Sequence, residues 1–250
     1  MRYFVHFSYL GKSFHGWQRQ PNAITVQEQM ESCFSTVLRQ TVELVAAGRT
    51  DTGVHASEMY AHFDCDHIDS TDDFVQRINS FLPEDIAINN IIQVNSEAHA
   101  RFGALERTYE YRIVQKKDPF LADTTYYSRQ PYDISKMNTA ADLLLGKKDF
   151  ECFSKSNTDV KTFICNVKQA EWRRQENQLV FTITADRFLR NMVRAVVGTL
   201  LDVGLEKKSL EDVNTIIKNK DRRLAGASVP AKGLSLVRVQ YPEDMLPRNG

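Results

Sequence analysis

Asp51 is the residue in this chain best placed to do chemistry. It stands in the string Ala46-Ala47-Gly48-Arg49-Thr50-Asp51-Thr52-Gly53-Val54-His55-Ala56. An ionised aspartate can attack as a nucleophile with neither a metal nor a redox partner. Arg49 precedes it by two, so on an extended segment both side chains point to one side. Gly48 and Gly53 admit backbone angles that other residues resist, and they let a ligand come close. The apolar runs Val42–Ala47 and Met59–Phe63 read as strands on either side. Loops held between strands commonly carry catalytic residues, because the scaffold fixes their geometry. A turn of this composition can also serve only itself, with Asp51 bonding its own backbone or pairing with Arg49. The full eleven-residue string is more particular than such a turn.

A second set of candidates lies late in the chain. Arg187, Arg190 and Arg194 are spaced by three and four, which predicts one stripe along a helix over Phe188–Val203. Leu189, Met192, Val193, Val196 and Leu200 fall on the opposite face. An arginine stripe is often only solvated, but Arg187 and Arg190 are also of the type that meets phosphates. Tyr109 opens a strand of the second half, where a half-buried aromatic is common. His55 and His62 with Asp64, Asp66 and His67 match no zinc spacing, so no metal and no cofactor is expected. Cys33, Cys65, Cys152 and Cys165 form no Cys-x-x-Cys pair and read as buried free thiols.

The elements that position these residues follow from periodicity. Tyr3–Leu10 reads as a strand. Val26–Leu38 reads as a helix, with Thr25 and Glu28 as a capping box. Asp72–Leu82 is a helix stopped by Pro83, and Asp85–Val94 is a strand. In the second half Arg107–Gln115 is a strand. Ile134–Leu145 is a helix capped by Asp133, with Gly146 just past its end. Thr162–Arg173 and Leu179–Ala185 are strands joined through Gln175–Gln178. Leu210–Lys218 is a helix capped by Ser209, and Leu234–Tyr241 is a last strand. Each half therefore reads β-α-β-β-α-β, the split βαβ or ferredoxin-like order. The expected fold class is α+β: two such halves joined into an extended, mainly antiparallel sheet with a central cleft. The expected domains are 1–100, carrying the catalytic loop, and 101–250, completing the cleft.

Length and composition set the bounds. The chain has 250 residues, long enough for a substantial core. It carries 32 Lys+Arg against 32 Asp+Glu, a formal net charge of zero. Phosphate partners usually meet a basic surface, so an RNA ligand would need the bases gathered on one face. No apolar run spans a membrane, and the N-terminus lacks a signal-peptide layout; a cytoplasmic location is expected.

The signature string resembles that of the TruA family of tRNA pseudouridine synthases. Tyr9, Gly11, Phe14-His15-Gly16-Trp17-Gln18-Arg19-Gln20 and Val26-Gln27-Glu28 are similar to the family's opening. His99-Ala100-Arg101-Phe102 and Arg107-Thr108-Tyr109-Glu110-Tyr111 are similar to its middle. Phe188-Leu189-Arg190-Asn191-Met192-Val193-Arg194 with Val197-Gly198 is similar to its late helix. Thr52 stands where alanine is expected and Ala56 where glycine is common; both are small. The resemblance implies the pseudouridine synthase fold, with Asp51 as the catalytic aspartate and Arg194 beside it, favouring its charged form. It makes Tyr109 the platform for the target uracil, and sets Arg49 in the gap left by the extracted base or against its phosphate. His55 is grouped with the substrate contacts, although a histidine in such a loop can also only hold its shape. Arg187, Arg190, Arg101, Arg19 and Lys12 are assigned to the RNA backbone.

The implied activity is isomerisation of uridine to pseudouridine at positions 38, 39 and 40 of the tRNA anticodon stem-loop, by a homodimer that needs no cofactor. Loops around Pro21–Thr25 and Ser154–Lys161 would give the reach for neighbouring uridines. The alternative is a non-catalytic RNA-binding module, since ferredoxin-like sheets with exposed aromatics bind single strands. A pure binder has no need of a carboxylate near phosphates. A third reading is a metal-dependent hydrolase using Asp51, His55 and His62, which a chelator would expose.

Overall fold

The computed structural model describes residues 1–155 and 160–246; part of the Ser154–Lys161 loop, 156–159, lies outside the described residues. The chain forms two compact units. One is Met1–Arg107 together with the segment from Ser235 onward, and the other is Thr108–Leu234. Among the described residues, ten strands, mostly antiparallel, and five α-helices make an α+β fold.

In the first unit the elements run β1 (Arg2–Tyr9), α1 (Val26–Leu38), β2 (Val45–Ala46), β3 (His55–Asp64), α2 (Thr71–Phe81) and β4 (Ile86–Val94). Their sheet order is β4-β1-β3, with β2 also on β3, all antiparallel. This is the ferredoxin-like arrangement expected from the order of elements. Alternate residues of β1, namely Tyr3, Val5, Phe7 and Tyr9, are buried. Tyr3 stacks on Phe63, and Phe34 of α1 meets Phe63 edge-on at 5.2 Å, so the helices close over this face of the sheet. Thr25 caps α1 by accepting from the Glu28 N–H, as its sequence position predicts.

The strand expected over Val42–Ala47 is shorter. Only Val45 and Ala46 pair with β3, because side chains of α1 take the earlier amides: Val42 N–H donates to Ser35 Oγ and Leu44 N–H to Glu31 Oε1. The last strand, β10 (Leu234–Gln240), pairs in parallel with the start of β3, Ser235 opposite His55 and Leu236 opposite Ala56. A linear division at 100/101 assigns that strand to the second half; contact assigns it to the first unit.

In the second unit the elements are β5 (Glu106–Val114), β6 (Tyr126–Tyr127), α3 (Ile134–Asp142), β7 (Gly146–Asp149), β8 (Ile164–Gln175), β9 (Gln178–Ala185), α4 (Met192–Gly204) and α5 (Leu210–Asn219). The sheet order is β5-β9-β8-β7. Glu176, at φ +50°, makes the tight β8–β9 turn. Helix α3 stops at Asp142, earlier than Leu145, and Gly146 at φ +91° opens a short strand rather than ending the helix directly.

The largest departure concerns α4, which begins at Met192 and not at Phe188. Asn191 is held in the left-handed region at φ +66°, so the helix cannot extend backwards through it. Arg187 and Arg190 therefore lie in the loop after β9, and the three-arginine stripe does not exist. Nor is α4 one-sided: all of its residues but Arg194 and Asp202 are buried.

Candidate active-site loop and its supports

Residues 47–54 connect β2 to β3, and nearly every flank of this loop is pinned. Ala47 N–H donates to Tyr60 O at 2.8 Å, and Ala47 O accepts from Arg107 Nη2 at 2.8 Å. The same guanidinium holds Arg101 O and Ala104 O. Thr50 is buried, with its hydroxyl 2.8 Å from the Tyr9 hydroxyl and its carbonyl accepting from Trp17 N–H at 3.3 Å. Val54 N–H closes a turn onto Asp51 O at 3.1 Å, and Gly53 N–H donates to Phe14 O at 3.3 Å. Asp51 itself stays half-exposed, between buried Thr50 and exposed Thr52, and Arg49 is exposed.

Glycines let two backbones meet here. A Cβ on Gly11 would fall 2.0 Å from Val54 O. One on Gly16, at φ +88°, would fall 2.5 Å from Thr50 O and 3.2 Å from the Asp51 carbonyl carbon. Of the glycines flanking Asp51, Gly53 uses its freedom at φ +76°, whereas Gly48 has open space around its Cβ position and no positive φ. The early Phe14–Gln20 motif is thus the bed on which the Asp51 loop rests. Sequence reading noted that motif but could not assign it this task.

His55 is 3% exposed, and its Nδ1 accepts from Gly11 N–H at 2.9 Å. That bond leaves the proton on Nε2 in the neutral ring and ties the end of the loop to the same early segment. Arg19, assigned from sequence to RNA, pairs with buried Glu31 at 3.0 Å. Lys12 sits exposed in a 3-10 turn, and Arg101 lies 5.7 Å from the ring centre of Phe102, which is 77% exposed. His62 is a packed neutral histidine. Its Nδ1 accepts from Ala100 N–H, its ring is 4.5 Å from that of His99, and burial with nearby positive groups lowers its pKa to about 4. Burial raises the thiols of Cys33 and Cys65 to about 11 and those of Cys152 and Cys165 to about 12, so all four are inert at neutral pH.

In the second unit Tyr109 is buried on β5, on the same face as Tyr111 and Ile113, and meets Phe188 edge-on at 5.1 Å. Arg194 is half-buried in the first turn of α4, and its Nε donates to Val229 O at 2.8 Å. Arg187 is half-buried, and Arg190 is exposed with its carbonyl accepting from Lys155 N–H. The segment around Gly226–Val229 was not recognised from sequence, yet it orients Arg194. Gly226 N–H donates to Thr199 Oγ1, Asn191 Nδ2 donates to Ser228 Oγ, and a Cβ on Gly198 would fall 1.8 Å from Ala227 O. The available signal was Gly198 itself, since a glycine inside a helix implies close backbone approach.

A fixed ferredoxin-like scaffold that presents one carboxylate on a tightly supported loop fits an enzyme using an aspartate directly. The family model described as tRNA pseudouridine synthase matches residues 6–103 and 140–242. The chain belongs to that family, whose members are isomerases. A relative from Bacteroides thetaiotaomicron, tRNA pseudouridine synthase A, is 48% identical over 98% of this chain and 92% of its own. Its counterpart from Porphyromonas gingivalis is also 48% identical, over 98% of each chain. One from Francisella tularensis is 37% identical over 96% of this chain and 94% of its own.

Proposed function

We propose that this protein isomerises uridine to pseudouridine at positions 38, 39 and 40 of the tRNA anticodon stem-loop, with Asp51 as the nucleophile. The supporting observation is the Asp51 loop: its backbone is anchored through Ala47, Thr50, Gly53, Val54 and His55, while the carboxylate-bearing residue remains half-exposed. Preorganised geometry of that kind is what a positioned reactant needs.

The reaction balances without a co-reactant. The bond between C1′ of the ribose and N1 of uracil breaks, the base turns, and C1′ bonds to C5. The C5 proton leaves to solvent, and N1 takes one up. Extracting the uridine costs a few kcal/mol. Stacking on Tyr109 returns about 1–3 kcal/mol, so phosphate contacts supply the remainder. Arg187, Arg190, Arg101 and Lys12 are the cations assigned to that task, and Arg49 to the space or phosphate of the extracted base. Arg194 supports the charged reacting groups, and His55 acts by holding the loop. The working form is a homodimer in the cytoplasm.

Tritium release from a tRNA transcript labelled at uracil C5, with chelator present, tests this reading. Release by the wild type and none by Asp51→Asn, which keeps the fold and RNA binding, is the expected result. Substantial turnover by Asp51→Asn sinks the nucleophile assignment. Binding without release from any tRNA leaves the RNA-binding module.

A further inference from the structure

We propose that Glu31, on α1 and remote in sequence from the signature string, is a positioning residue for Asp51; the inference rests on Asp51 being the nucleophile. Glu31 is 6% exposed, and its two carboxylate oxygens tie two other segments to α1. Oε1 accepts from Leu44 N–H at 2.9 Å and from Gln27 Nε2 at 2.9 Å, and Oε2 lies 3.0 Å from Arg19 Nη2. Gln27, one turn earlier on the same helix face, completes the clamp. Its Oε1 accepts from Arg19 N–H at 3.0 Å, and its Nε2 also reaches Leu44 O at 3.1 Å.

Each segment held in this way leads to the catalytic loop. Leu44 precedes β2, which runs directly into Ala47 and Gly48. Arg19 lies in the stretch whose Gly16 and Trp17 rest on Thr50, through the glycine contact and the Trp17 N–H bond. The same stretch is tied to α1 by Val26 N–H to Gly16 O and Gln27 N–H to Trp17 O. One buried carboxylate thus fixes the loop's entrance and its bed together, without touching Asp51. A buried carboxylate needs such partners to be tolerated at all, and removing one of them unbalances the rest.

Glu31 also decides what Arg19 does. With its guanidinium committed to Glu31, Arg19 is part of the support and not a phosphate contact.

The test compares Glu31→Gln, Arg19→Gln, the double variant and Asp51→Asn, each at a temperature where thermal melts show it folded. Single-turnover rate at saturating tRNA and Kd for tRNA against salt are both measured. In Glu31→Gln the new amide nitrogen faces the Arg19 donor. The rate should fall about 10- to 100-fold, as small misplacements of reacting groups do, with Kd and its salt slope unchanged. Arg19→Gln should move the rate the same way by less, and the double variant should be no slower than Glu31→Gln. A full rate in folded Glu31→Gln overturns the proposal. So does a raised Kd with a shallower salt slope and an intact rate in Arg19→Gln, the signature of a phosphate contact; Arg19 is 55% exposed, so that variant is expected to fold even if Glu31→Gln does not. Turnover by Asp51→Asn would instead overturn the nucleophile assignment, whatever Glu31 does.

Discussion

Gly16→Ala puts the bed of the Asp51 loop under direct strain. Gly16 sits at φ +88°, and an added methyl would lie 2.5 Å from Thr50 O, 3.2 Å from the Asp51 carbonyl carbon and 3.3 Å from Thr52 N. All three are backbone atoms, so no side chain can swing aside. Holding alanine in the left-handed region costs about 1–2 kcal/mol, and overpacking a filled site costs about 1–3 kcal/mol. If the loop stays in place, stability falls by about 2–5 kcal/mol. If it yields, Thr50 O must retreat by about 1 Å to an ordinary contact, carrying Asp51 with it and lowering the rate about 100-fold. Urea unfolding and single-turnover pseudouridine formation, measured on the same preparation, register either route. Gly48→Ala is the control: no atom lies within 4 Å of its Cβ position and its φ is not positive. It should change stability by less than about 0.5 kcal/mol, so any loss of its activity reports on the approach of substrate. A Gly16→Ala protein with wild-type midpoint and wild-type rate would refute the account of Phe14–Gln20 as the support of the loop.

Arg194→Ala removes both the guanidinium and its bond to Val229 O; the rate at saturating tRNA should fall more than binding weakens, and equal losses would make Arg194 only a phosphate contact. His62 gives the fold a pH dependence of known sign. Its pKa is lowered from 6.5 to about 4 in the folded chain, so above 6.5 both states are neutral and it contributes nothing. As pH falls from about 6.5 to 4 the unfolded state binds the proton first and stability declines, by at most about 1.4 kcal/mol per pH unit. Urea midpoints at pH 7 and pH 5 should therefore differ less in His62→Gln than in the wild type. Equal differences would show that groups other than His62, among them His6 and His99, whose pKa values burial also lowers, carry the effect.

Local patterns carried much of the architecture. The periodicity of Val26–Leu38 and the Thr25 cap placed α1 to the residue, because amphipathic spacing and capping are properties of neighbouring residues. Alternation identified β1, β8 and β9, and the β-α-β-β-α-β order pointed to the ferredoxin-like unit. Asp51 stood out because its chemistry and its flanking glycines are contiguous in the chain.

What the sequence could not supply depends on long-range partners. The helix read from Phe188 starts at Met192 because Asn191 takes a left-handed conformation, with its side chain bonded to Ser228. The strand read over Val42–Ala47 shrinks to two residues because Ser35 and Glu31 on α1 take the amides a sheet would use. Neither competitor is visible in a local window, since a side chain reaching across the fold satisfies a backbone group as well as a neighbouring strand does. Residue type and spacing by themselves determined that this chain carries a carboxylate in a glycine-flanked turn on an α+β scaffold. Only the tertiary structure decided that Gly11, Gly16, Tyr9 and Arg107 hold that turn in place, because a backbone approach of a few ångströms between segments about 35 to 60 residues apart leaves no mark on the pattern of either one.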